Sequence, residues 1–173
     1  MAIYEFEGKI PVVGEGSFVH PEATLIGGVK IGRNCFIGPG ARLRADWCDI
    51  EVDDGSNVQD NCIIHARPEF TVRLGPNSHI GHGSVLHGVV LHEHVLVGMN
   101  AVIQDFAEIG ENCIIGSGCV IAPGMHVPPR KLVVGVPGKI VADVSPEQEQ
   151  LWTLATHFYQ ELARRYREGS RLK

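Results

Sequence analysis

The chain has 173 residues, with 15 basic and 20 acidic side chains and a net charge of -5, a size that suits one good core and not two ordinary domains. The basic residues are spread along the sequence and form no cationic stripe, which argues against a nucleic-acid partner. Met1 to Glu7 carries no basic leader, and no stretch reaches the length of a membrane span, so a cytoplasmic protein without a membrane partner is expected.

From Val19 onward, aliphatic residues recur at a step of six: Val19, Leu25, Ile31, Ile37 and Leu43, then Leu91, Val97, Ile103, Ile109, Ile115 and Ile121. Between these runs the step survives in fragments, Val52, Val58 and Ile64, then Leu74, Ile80 and Leu86, separated by slips that read as loops or bulges. No helix has this period; a solenoid of short strands does. Glycine follows the aliphatic residue at positions 32, 38, 75, 81, 98, 110 and 116, where a corner is expected to need unusual backbone angles. The fourth residue after each aliphatic is usually small, and Cys35, Cys62, Cys113 and Cys119 fall in that series. They read as packed thiols; Cys48 has no assigned place, and five cysteines in a reducing compartment do not suggest disulfides. Three hexapeptides make a coil of 18 residues, and roughly six coils fit between Val19 and Gly124.

This pattern resembles the hexapeptide-repeat superfamily. The resemblance implies an all-β solenoid wound as a left-handed parallel β-helix; the period alone does not set the hand, since ordinary crossovers are right-handed. Pro123 to Asp143, rich in Pro and Gly, reads as an irregular connection that completes a unit of residues 1–144. Residues 145–173 form the second unit. Ser145, Pro146 and Gln148 have the form of a capping box, and Leu151, Leu154, Ala155, Phe158, Leu162 and Tyr166 recur at helical spacing. An amphipathic helix from about Pro146 to Arg167 is expected, its stripe packed on the solenoid.

The register places the histidines. Leu43 to Ile64 is one coil plus three residues and Ile64 to Leu86 one coil plus four, so these aliphatics stack and Arg44, His65 and His87 form an outward column. Two imidazoles on adjacent rungs can share one ion at about 2.0 to 2.1 Å, but a tetrahedral catalytic zinc site wants a third protein ligand. His82 lies on the preceding strand towards a corner, out of reach of its own chain's pair, and a three-fold trimer would bring it to a neighbour's pair. The competing reading leaves His65, His82 and His87 as solvated surface histidines, as it does His20, His92, His94 and His126. His79 reads as a turn residue.

Leu43-Arg44-Ala45-Asp46, Asn57-Val58-Gln59-Asp60-Asn61 with His65, Ile80-Gly81-His82-Gly83 and Leu86-His87-Gly88 resemble the γ-class carbonic anhydrase signature. With Thr156-His157-Phe158-Tyr159 near the tail, the likeness extends to the accessory proteins of phenylacetate degradation and carnitine metabolism. It implies a homotrimer with zinc, or alternatively iron or cobalt, on His65 and His87 of one chain and His82 of the next. It further implies an intersubunit ion pair of Arg44 and Asp46, a Gln59 that hydrogen-bonds the metal's water, and Asn57, Asp60 and Tyr159 completing the site. The reaction implied is CO2 hydration to bicarbonate. The loop Ala66-Arg67-Pro68-Glu69-Phe70 offers Glu69 as its only carboxylate, with Arg67 beside it expected to fix its charge, so slow proton export and low activity are expected. One rival reading is an acyl-CoA thioesterase or acyltransferase, and a second is a non-catalytic trimeric metal-binding scaffold.

Overall fold

A computed structural model describes residues 2–169; the last four residues of the 145–173 tail lie outside the described residues. The chain winds as a left-handed parallel β-solenoid of about 7 turns and ends in one helix. Most strands are two or three residues long, and along the body of the solenoid they pair in parallel with the strands one coil before and one coil after. On the first face Leu25, Leu43, Ile64, Leu86, Ile103 and Ile121 stack rung on rung, and each is at most 1% exposed. Burying such a side chain contributes about 1.5–3 kcal/mol relative to exposure, which is why a step of six persists through strands too short to be stable alone.

The two slips have separate causes. The strand Arg42–Val52 runs through 11 residues across two faces, with its register shifted opposite Gly27 and Val29. The segment 66–70 is a small excursion closed by a bridge between Arg67 and Phe70.

The corners work differently from the expectation. The glycines after the aliphatic residues, such as Gly81 and Gly98, do not have positive φ; the positive φ falls on the residue before the small buried one, as at Asn34, Asn61, Asn77, Asn100 and Asn112. What Gly81 and Gly98 provide is room. A Cβ at Gly81 would lie 2.8 Å from the Val97 carbonyl oxygen, and one at Gly98 would lie 2.5 Å from the Ser117 nitrogen, so side chains there would push successive coils apart.

Pro123 to Asp143 is not an irregular connection. The solenoid continues through His126–Val127 and Lys131–Val134, and the latter turns back into an antiparallel hairpin with Lys139–Asp143. Coil-to-coil hydrogen bonding outweighs the local Pro and Gly content there.

The helix runs from Pro146 to Gly169. Its start is a reciprocal capping box: the Gln148 N–H donates to Ser145 Oγ at 3.2 Å, and the Ser145 N–H donates to Gln148 Oε1 at 2.9 Å. The face it buries shares only part of the stripe read from the sequence, Tyr166 among it. Leu151, Leu154 and Phe158 are exposed, whereas Thr156 and Ala163 are buried and Trp152, Tyr159 and Tyr166 meet the solenoid. Those three aromatics are seven residues apart, about 10.5 Å along a helix, close to two rungs of roughly 4.8 Å. The helix thus matches the third face, where Phe18, Phe36, His79 and Leu96 point outward.

Candidate functional site

On the first face the pairing brings Arg44, His65 and His87 into one column, with Arg44 opposite His65 and His65 opposite His87. His65 Nδ1 and His87 Nε2 face each other at 3.0 Å. The remaining nitrogen of each ring is held by a carboxylate: His65 Nε2 bonds Asp46 Oδ1 at 3.0 Å, and His87 Nδ1 bonds Asp105. A carboxylate accepts only, so each outer nitrogen carries a proton, and with both rings neutral each inner nitrogen presents a lone pair. Two lone pairs at 3.0 Å repel unless a cation lies between them, and imidazoles oriented by carboxylates on their far nitrogens are the usual metal-ligand arrangement.

Arg44 Nη1 reaches Asp46 Oδ2 at 2.5 Å, so the ion pair that the resemblance places between subunits is made here within one chain. Burial raises the Asp46 pKa, but hydrogen bonds from Arg44 and His65 outweigh it and hold the carboxyl below its ordinary value. Asp105 was missed in the sequence. It stands 18 residues from His87, one coil away, and that spacing was the available signal. Arg67 bonds Asp105 at 3.3 Å and lies 4.1 Å over the Phe106 ring; Phe106 takes a φ of 63°, a strained conformation for an aromatic residue. Arg67 therefore does not fix Glu69. Glu69 sits exposed at the tip of the excursion with a φ of 60° and forms no ion pair among the described residues.

His82 lies past the strand His79–Ile80, at the corner between two faces, and bonds Asp60. It makes no hydrogen bond to His65 or His87, and among the described residues no three His, Cys, Asp or Glu side chains of one chain gather around a single point that could hold a metal. Gln59 and His82 instead line a 250 Å³ pocket with His79, Met99 and Trp152.

The other candidates gather beneath the helix on the third face. Asn57 and Gln59 are buried; Gln59 Nε2 donates to Asn57 Oδ1 at 2.9 Å and lies 2.6 Å from His79 Nε2. His79 is not a turn residue. It is 9% exposed, in a strand, and burial pushes its pKa down to about 4. Tyr159 packs its ring 5.2 Å from that of His79, and burial raises its phenol pKa. One chain therefore carries two separate clusters of polar side chains: His65, His87, Arg44, Asp46 and Asp105 on one face, and His82, Asp60, Gln59, Asn57 and Tyr159 around another corner. Elsewhere His92 bonds Glu108 at 2.7 Å and His94 bonds Thr153 at 3.2 Å. No helix of the described residues is long and apolar enough to cross a membrane.

Residues 10–45 and 88–123 match the family "bacterial transferase hexapeptide (six repeats)". The carnitine operon protein CaiE of Proteus sp. (strain LE138) is 41% identical over 169 residues, 98% of this chain and 86% of that one. A hexapeptide transferase family protein from Anaplasma phagocytophilum superposes with a TM-score of 0.91 at 30% identity, over 95% of this chain and 98% of that one. PerB from Caulobacter crescentus, solved in complex with CoA and GDP-perosamine, superposes with a TM-score of 0.65 at 26% identity, over 76% of this chain and 58% of that one. The repeat, the solenoid and near-full-length identity agree: the chain belongs to the hexapeptide-repeat family, alongside the carnitine operon proteins.

Proposed function

We propose that the chain is a zinc-dependent hydratase of the γ-carbonic anhydrase kind, converting CO2 and water to bicarbonate and a proton at sites shared between the subunits of a homotrimer. The observation that carries this reading is the His65–His87 pair, whose facing nitrogens lie 3.0 Å apart while Asp46 and Asp105 hold the outer nitrogens. This donor set suits zinc, and iron or cobalt fit the same three-imidazole chemistry. His65 and His87 of one subunit would hold the ion with His82 of a neighbour, which explains why the two clusters lie at different corners of one chain. Zinc held there would supply a Lewis acid that lowers the pKa of a water to about 7.

The chain's own residues do the rest. Asp46, braced by Arg44, and Asp105 keep the imidazoles in the tautomer that leaves the inner nitrogens free. Gln59 orients the attacking water from the neighbour's side. The proton released as water adds to the CO2 carbon passes to Glu69, which is exposed, forms no ion pair among the described residues and can carry it to solvent. With one such carboxylate, hydration is slow and external buffer accelerates it, since acid–base assistance is worth about 10²–10⁴-fold.

A second reading, acyl transfer or hydrolysis on CoA thioesters, is favoured by the likeness to PerB, which was solved with CoA, and by the hexapeptide transferase match. Stopped-flow CO2 hydration and acyl-CoA cleavage, measured on the same metal-analysed protein, separate the two. Hydration above the buffer blank that disappears in His87→Ala supports the hydratase. Thioester cleavage without hydration at any buffer concentration replaces it with the second reading.

A further inference from the structure

The polar group on the third face that has no role so far is His79. It stands between Asn57 on one neighbouring strand and Leu96 on the other. Tyr159 closes over it at 5.2 Å and Trp152 at 5.8 Å. No carboxylate bonds it among the described residues.

A neutral imidazole has one donor and one acceptor nitrogen. The Gln59 amide nitrogen has two hydrogens and two close partners, Asn57 Oδ1 at 2.9 Å and His79 Nε2 at 2.6 Å. It donates to both, so His79 Nε2 accepts and Nδ1 carries the proton. Asn57 Nδ2 at 3.3 Å from Nδ1 is then an approach of two donors and not a bond. Exchanging oxygen and nitrogen in both amides would satisfy every contact only if His79 were an imidazolium. Burial opposes that charge, holding the pKa at about 4, so the ring is neutral and one contact goes unmatched in either orientation: the orientation of the structure goes with the Nδ1–H tautomer, the exchanged one with Nε2–H. In the orientation of the structure both hydrogens of the Gln59 amide are taken up inside the network, and the carbonyl oxygen is the group it has left to offer.

We propose that His79 is a positioning residue that locks the Gln59 amide so that its carbonyl oxygen, a hydrogen-bond acceptor, is the group presented to the reacting water. This rests on the hydratase reading only in assigning Gln59 to that water; the arrangement of His79 and Gln59 can be measured apart from any activity.

The test is a long-range ¹H–¹⁵N spectrum of the histidine-labelled full-length protein, joined to side-chain amide exchange and kinetics. At neutral pH His79 should appear as the Nδ1–H tautomer, with the Gln59 side-chain hydrogens slow to exchange. His79→Phe, which keeps a ring under Tyr159 and Trp152, should accelerate that exchange at least about tenfold while the zinc content stays the same. Hydration should fall by the same factor in His79→Phe as in Gln59→Ala, the double variant should be within about twofold of the single ones because the two act as a unit, and His79→Gln should restore part of the loss. An Nε2–H tautomer, an imidazolium, or losses that multiply in the double variant would overturn the proposal. Wild-type protein without hydration activity would sink the hydratase reading alone, since the tautomer and amide exchange still decide the role of His79.

Discussion

Replacing Asp105 by Asn keeps an oxygen for the His87 Nδ1–H but removes the charge that holds it. Asp105 is one of two carboxylates that orient the histidine pair, and its other oxygen lies 3.3 Å from Arg67. Loss of such a partner costs about 10–100-fold in metal affinity, or ~1.4–2.7 kcal/mol. The Asp105 side chain is 33% exposed, so water screens part of the charge effect, and the expected loss is nearer about tenfold. Competition with a chromophoric chelator measures the zinc affinity directly, and circular dichroism and mass measurement confirm that the variant folds and assembles like the parent. Affinity unchanged within about twofold, in a protein of unchanged fold, would refute the claim that Asp105 orients a metal-binding histidine.

Leu86→Ala removes a fully buried side chain from the middle of the first-face column, between Ile64 and Ile103. It should cost about 2–5 kcal/mol in urea unfolding; a loss below about 1 kcal/mol would mean that the column is not tightly packed. Ser145→Ala breaks the capping box and should cost about 0.5–2 kcal/mol, whereas an unchanged stability would mean that the helix start is held by the Arg130–Glu149 ion pair at 2.7 Å instead. Burial raises the Cys35 and Cys62 thiols to about 11 and also raises Cys113 and Cys119. At pH 8, below those values, the thiolate fraction of Cys35 and Cys62 is about one in a thousand. Alkylation of folded protein should therefore modify half-buried Cys48 alone, and rapid labelling of all five thiols would contradict the packed core.

The solenoid was legible because each aliphatic at the step of six has one partner above and one below, so burial repeats where sequence repeats. The column of Arg44, His65 and His87 followed once the two slips were counted. The helix face was legible only in part, at Tyr166, because Leu151, Leu154 and Phe158 are more apolar than most of the residues that pack. What chose the face was a fit of length, seven residues against two rungs, and only Trp152, Tyr159 and Tyr166 together satisfy it. His79 was misread as a turn residue and Asp105 went unnoticed for a shared reason: each touches a neighbour one coil away, and hexapeptide spacing marks core positions while saying nothing about which outward side chains touch. Pro123 to Asp143 misled because Pro and Gly signal loops where no neighbouring strand waits to pair, and here one does.

The central claim is that each metal site draws His65 and His87 from one subunit and His82 from another. Neither His82→Ala nor His87→Ala protein should retain its zinc site or hydrate CO2. Unfolding the two together and refolding the mixture should form mixed trimers, each with one junction where an intact pair meets an intact His82. Random assembly makes about three quarters of the trimers mixed, so about a quarter of wild-type zinc content and hydration should return. A mixture that assembles into trimers but recovers neither would contradict the shared site.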